Sequence, residues 1–238
     1  MTTPTVVLVH GAFAESSSWN AVVGHLQQQL IPVVAVANPL RSVAGDAQYV
    51  RDVVASIPGP VVLAGHSYGG MIITEAAAGN PKVVGLVYVA AFTPDTGENA
   101  FNLSAKFPGS TLGAALQAYP VSTGGNELAI RPEVFGEQFA ADVDADLTAL
   151  MAATQRPVTE AALTDDLSAA EPAWRTLPSW VVYGEADRNI PAELIRFMAE
   201  RAGARVVTGV PGASHAISVS HPVTVAETIV TAVRATSD

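Results

Sequence analysis

Residues 61–70 read Val61-Val62-Leu63-Ala64-Gly65-His66-Ser67-Tyr68-Gly69-Gly70, and this stretch decides the fold. An apolar, β-branched run of the kind that fills buried strands stops at a Gly-x-Ser-x-Gly turn. A helix-like stretch, Met71 to Ala78, begins at once after it. A turn that joins such a strand to such a helix is so tight that the residues flanking the serine must be small, a condition Gly65 and Gly69 meet. It leaves the Ser67 hydroxyl projecting above the sheet, with the Tyr68 N–H and the N-terminus of the next helix beneath it. Free N–H groups and the helix dipole favour negative charge there.

Outward from this turn, strands and helices alternate. Strand-like runs fall at Thr5–Val9, Pro32–Val36, Pro60–Ala64, Val83–Ala90, Ser179–Tyr183 and Ala204–Thr208. Helical periodicity falls between them, at Ser18–Leu30, Asp46–Ile57, Tyr68–Ala78, Ala192–Ala202 and Val223–Ala235. In the last of these Val225, Ile229 and Val233 make one stripe, and Pro222 suits the helix start. The pattern predicts an α/β fold with about six mostly parallel strands and helices on both faces. Between Pro94 and Ala173 the rhythm stops. No strand-like run is evident there, and Phe135, Phe139, Val143, Leu147 and Met151 recur every fourth residue. An unstructured loop of that length is improbable in a compact domain. The expected organisation is a core of residues 1–93 and 174–238 with a helical cap inserted at 94–173.

Composition narrows the function. The 238 residues are 49% hydrophobic and 14% charged, which suits a well-buried globular chain. A net charge of −10 with 12 Lys plus Arg argues against nucleic acid, and no basic run would hold the chain to an anionic membrane. No stretch approaches a transmembrane helix in length. Cysteine is absent, which removes disulfides, thiolate nucleophiles and cysteine-based metal sites. Met1 to Pro4 runs straight into the first strand without a basic, apolar leader, so the cytoplasm is the expected location. Neither metal nor cofactor is expected, and oligomeric state is not readable.

A serine hydroxyl becomes a nucleophile only when a base takes its proton, and a third group must orient that base. In strand–turn–helix serine sites the acid and then the histidine follow the serine along the chain. Asp187 lies just past the run Trp180–Tyr183 and is favoured as the acid; Glu185 is its close rival, and Asp165 or Asp166 a more distant one. His215, 28 residues later in a loop after the last strand, is favoured as the base. His221, beside Pro222, suits the edge of the final helix; His10 suits loop orientation, His66 is held in the turn and His25 reads as a surface helix residue. The loop His10-Gly11-Ala12-Phe13 follows the first strand, where a second oxyanion donor is needed. Backbone N–H groups of Ala12 and Tyr68 are the expected pair, with Phe13 N–H an alternative.

The motifs Leu-Val-His-Gly-Ala at 8–12, Gly-His-Ser-Tyr-Gly-Gly at 65–70, Gly-Glu-Ala-Asp at 184–187 and Gly-Ala-Ser-His at 212–215 resemble the α/β-hydrolase superfamily. More narrowly the chain resembles its compact branch of bacterial carboxylesterases, plant methylesterases and hydroxynitrile lyases. The resemblance covers nearly the whole chain apart from the cap. It implies a six-stranded parallel sheet, a helical cap over the site, a Ser–Asp–His triad and no cofactor. The lyases of that branch carry Thr where this chain has Gly11 and Lys where it has Ala216. Both departures favour an esterase. The expected activity is therefore serine-dependent hydrolysis of small, apolar, uncharged esters. Cofactor-free haloperoxidase or perhydrolase chemistry, or a slow-turnover ligand-binding sensor, are the alternatives. Phe13, Phe92, Phe135, Phe139, Met151 and Ile217 are the candidate pocket walls.

Overall fold

The computed structural model describes residues 2–237. In chain order the elements are β1 (Thr5–Val9), α1 (Asn20–Gln28), β2 (Val33–Val36), α2 (Val43–Ser56), β3 (Val61–His66), α3 (Gly69–Ala77) and β4 (Val83–Val89). Then come α4 (Ala100–Ser104), α5 (Leu112–Ala115), β5 (Leu116–Pro120), β6 (Asn126–Ile130), α6 (Pro132–Phe139), α7 (Ala145–Thr154), β7 (Val158–Thr159) and α8 (Glu160–Thr164). The chain ends with β8 (Ser179–Gly184), α9 (Ala192–Arg201), β9 (Val206–Val210), α10 (Ile217–Ser220) and α11 (Pro222–Thr236).

Six strands form one sheet in the order β2-β1-β3-β4-β8-β9, every neighbouring pair parallel. A parallel sheet is covered on both faces, so its strands must be apolar on both. Here Val7, Val9, Val61, Leu63, Val181 and Tyr183 point into one core layer, against α2, α3 and α9. Val6, Leu8, Val62, Ala64, Trp180 and Val182 point into the other, with Val225, Ile229 and Val233 of α11. That period-2 split sorts the two layers. β9 is an edge strand, and its Val206 and Val207 are 40% and 44% exposed.

The segment between β4 and β8 differs from the expectation of a helical cap. It contains a three-stranded antiparallel sheet, β5-β6-β7, beside short helices. β5 and β6 form a hairpin closed through Gly124-Gly125, both with positive φ. The four-residue stripe of aromatic and apolar residues is not one helix either. It divides between α6 and α7, and Asp144 caps α7 by accepting from the Asp146 and Leu147 N–H groups.

Five ion pairs among the described residues join residues of this segment to the rest of the chain. They are Arg156–Glu15 (2.9 Å), Glu127–Arg41, Glu98–Arg201 (2.8 Å), Glu137–Arg188 (2.5 Å) and, when His221 is protonated, Asp142–His221 (3.4 Å), while Asp95–Arg175 (2.6 Å) lies within the segment.

Candidate active site

The four loops that leave the C-terminal ends of β1, β3, β8 and β9 meet at one place, where ligands bind in open parallel sheets. Ser67 stands between β3 and α3 with φ +55°. A non-glycine residue holds that left-handed conformation only when its surroundings impose it. They do so through packing: a Cβ on Gly65 would lie 2.5 Å from the Gly69 carbonyl oxygen, so no side chain fits there. The Tyr68 side chain turns away from the sheet edge and its hydroxyl donates to Asp46 Oδ2 (3.0 Å), tying the turn to α2. Burial, with the Asp46 carboxylate adding to it, pushes the Tyr68 phenol well above its ordinary value, so it stays neutral.

His215 lies in the loop after β9, and its Nδ1 meets Asp187 Oδ2 at 2.6 Å with both side chains buried. The other oxygen, Asp187 Oδ1, accepts from the Asn189 and Ile190 N–H groups (2.7 and 3.0 Å). A carboxylate so engaged orients the imidazole with Nδ1 as donor and Nε2 left for proton transfer. Glu185 is exposed, Asp165 accepts from the Val43 N–H and Asp166 from Asn99; none of them takes the place of Asp187.

Ser67 and His215 both line a cavity of about 400 Å³, together with Ala12 and Tyr68. The Phe13 N–H is committed to the Arg156 carbonyl (3.1 Å), whereas the Ala12 and Tyr68 amides have no backbone acceptor among the described residues. The Ala12 amide is thus open to an acceptor in a way the Phe13 amide is not. The loop is held by His10, whose Nδ1 donates to the Gly11 carbonyl (2.9 Å) while Nε2 accepts from Asn38 N–H (3.0 Å). That arrangement requires a neutral ring, in keeping with burial, which lowers its affinity for a proton.

Of the expected pocket walls, Phe13 and Phe92 line the cavity and four do not. Phe135 and Phe139 are buried core, their rings stacked 5.1 Å apart. α6 lays its apolar face on the histidine loop instead of across the cavity, so Phe139 packs edge-on against His215 (4.9 Å) and its carbonyl accepts from Ala216 N–H (3.0 Å). Met151 lines a separate cavity beneath α7, and Ile217 belongs to the core layer of α11 on the other face of the sheet. Leu112, Leu116, Leu128, Leu163 and Phe101, from the segment between β4 and β8, take their place, with Ile190. Among the described residues, Glu160 is the only Asp, Glu, Lys or Arg lining the cavity.

Two further contributors escape a sequence reading because their partners are distant along the chain. His66 Nε2 donates to the His215 carbonyl (2.9 Å), and the two rings lie 4.7 Å apart. Burial, with His215 nearby, holds His66 well below its ordinary value, so it supports the His215 loop as a neutral ring. Gln138 Nε2 donates to Asn189 Oδ1 (2.8 Å) and to the Arg188 carbonyl (3.0 Å), which fixes the loop that carries Asp187.

Comparison with known proteins places the chain. Residues 6–228 match the model of the alpha/beta hydrolase family, and the chain belongs to that family. A carbendazim hydrolyzing esterase from Nocardioides sp. (strain SG-4G) is 32% identical over 135 residues, covering 48% of this chain. The match spans little more than half of that relative, 56% of its length. The esterase PIR7B of Oryza sativa subsp. japonica is 26% identical over 242 residues, covering 91% of this chain and 90% of the relative. Among solved structures, polyneuridine aldehyde esterase superposes with a TM-score of 0.82 at 22% identity, over 97% of this chain and 99% of that one. At that identity the likeness concerns the fold.

Proposed function

We propose that this α/β hydrolase cleaves small, uncharged carboxylic esters through Ser67, His215 and Asp187. The observation that carries the reading is the buried 2.6 Å pairing of His215 Nδ1 with an Asp187 carboxylate anchored at its other oxygen, in a cavity that also admits Ser67. Ser67 Oγ attacks the ester carbonyl carbon as its proton passes to His215 Nε2. The oxyanion so formed accepts from the Ala12 and Tyr68 N–H groups, an interaction worth about 3–4 kcal/mol for one such donor. The C–O bond to the alcohol then breaks as His215 returns the proton to the departing oxygen. Water, deprotonated by the same imidazole, releases the acid from Ser67 and restores the hydroxyl. Asp187 keeps the base in the one tautomer that can do this.

The apolar lining supports an apolar substrate, and Glu160, with no cation beside it, disfavours an anionic one. A hydrolytic site is also favoured over a lyase site at Gly11. A Cβ there would lie 2.6 Å from Ser67 Cβ, so the threonine of the lyases does not fit beside this serine. Turnover of a panel of p-nitrophenyl esters by the wild-type chain and by Ser67→Ala tests the reading. Hydrolysis of neutral short-chain esters that disappears in the variant is expected. Undiminished hydrolysis by Ser67→Ala, or multiple turnover of none of the panel, overturns it.

A further inference from the structure

We propose that Phe13 is a size-limiting residue: its ring closes the active-site cavity against a second apolar cavity and so sets the longest acyl group the site takes. This rests on the ester reading above. Phe13 borders both spaces. On one side is the cavity of Ser67 and His215; on the other is a space of about 260 Å³ between residues 13–21 and α7, lined by Ala21, Leu150, Met151 and Val219. Phe13 follows Ala12, the oxyanion donor, so the partition begins beside the reacting carbonyl.

The partition is held in place from both sides. Phe13 is 4% exposed and has φ +60°, a left-handed backbone that its neighbours must impose. Its N–H is fixed by the Arg156 carbonyl, and the Arg156 guanidinium reaches back to the Glu15 carboxylate (2.9 Å). A buried ring on a backbone held in this way acts as a wall, not a swinging gate. Without it, an acyl chain that stops at Phe13 would run on into a space whose lining is mainly apolar. The exposed Leu147 and Leu150 continue that lining to the surface.

The test is a chain-length series read in two ways. One is kcat/KM for p-nitrophenyl esters from acetate to dodecanoate; the other is equilibrium binding of the corresponding n-alkanols, which needs no chemistry. In the wild-type chain both should climb with length, by about fourfold per methylene at most, and then break. Phe13→Ala should move both breaks outward by several methylenes and raise the long-to-short ratio by about tenfold or more. Phe13→Leu should move them less, and serves if the alanine variant does not fold. Adding Ala21→Trp, which fills the second cavity, should bring the breaks back; alone it should leave short esters at the wild-type rate. Breaks that stay put in Phe13→Ala and Phe13→Leu, or that move but ignore Ala21→Trp, overturn the proposal while ester turnover survives. If no ester is turned over but the alkanol break moves as stated, the ester reading falls and the role of Phe13 stands.

Discussion

The central sheet and the segment between β4 and β8 meet at the cavity and share one apolar core, yet the segment adds ion pairs to the burial that holds both. In the sheet Val6, Val7, Leu8, Val9, Val62, Leu63 and Ala64 are fully buried, and the two faces are sorted by simple alternation. In the segment Phe135, Phe139 and Ile130 join the same core, but α7 has no buried residue at all, and among the described residues five ion pairs run from the segment to the rest of the chain. Exposed pairs of this kind contribute about 0–1 kcal/mol each, whereas a buried leucine is worth several times that. The groups proposed to do the chemistry sit on loops of the sheet; most of the apolar wall of the cavity sits on the segment. Chemistry should therefore be hard to disturb from the segment, and selectivity easy.

The largest effect that tests this division is loss of the nucleophile or base. Ser67→Ala and His215→Ala should each lower kcat by about four orders of magnitude or more, to similar residual values, because the groups act as a unit. Steady-state kinetics on a neutral ester and circular dichroism of the folded variants check it. An equal loss from Phe101→Ala, on the cavity wall, would break the division. Asp187→Asn comes next. Asparagine can still accept from the Asn189 and Ile190 N–H groups, but it presents NH₂ to His215 Nδ1 and favours the wrong tautomer. About a thousandfold or more should be lost in kcat, with Glu185→Gln close to wild type. A reversal of that ranking would move the acid to Glu185.

Stability should show the same contrast at smaller scale. Leu63→Ala should cost about 2–5 kcal/mol in urea unfolding, and Leu150→Ala, 58% exposed on α7, within about 0.5 kcal/mol. Similar costs would mean that α7 is packed more tightly than its exposure says.

The last contrast is one of sign in acid. Hydrogen bonds and charge from Arg201 outweigh partial burial and hold Glu98 below the ordinary carboxylate value. Asp95, also partly desolvated, is lowered by Arg175, and Glu127 by Tyr119 and Arg41. Their contribution is present above the unfolded-state value and is lost as pH falls through the depressed folded-state values. Asp46, in α2, is raised by burial despite its hydrogen bonds, so protonating it favours the folded chain as pH falls. Hydrogen exchange between about pH 5 and pH 3 should thus show residues 94–173 losing protection before α2 does. The opposite order would place the weaker attachment in the core.

The same contrast explains what was legible. The six strands are legible because each is a local apolar run, and the proposed residues Ser67, Asp187 and His215 can be picked out because each follows one. The β5–β6 hairpin was overlooked although Gly124-Gly125 marks its turn, because Leu116–Pro120 and Asn126–Ile130 are polar-leaning and half-exposed. Phe135 and Phe139 lie in the core and not on the cavity, a distinction periodicity cannot make because it reveals an apolar face but not what that face meets. The bonds from His66 to the histidine loop and from Gln138 to the acid loop span 149 and 51 residues, beyond any local pattern.

One feature of the sheet bears on how the protein behaves at high concentration. β9 ends the sheet with a free edge, and Val206 and Val207 are exposed on it. Such an edge invites a second strand from another molecule. Mutual repulsion opposes that contact, since each chain carries a net charge of −10 at neutral pH. Acidification towards about pH 4.5 protonates a minority of the Asp and Glu, enough to weaken that repulsion while the edge remains. Colloidal behaviour should thus depend on pH, and a charged residue at position 206 or 207 would extend the range over which the protein stays dispersed.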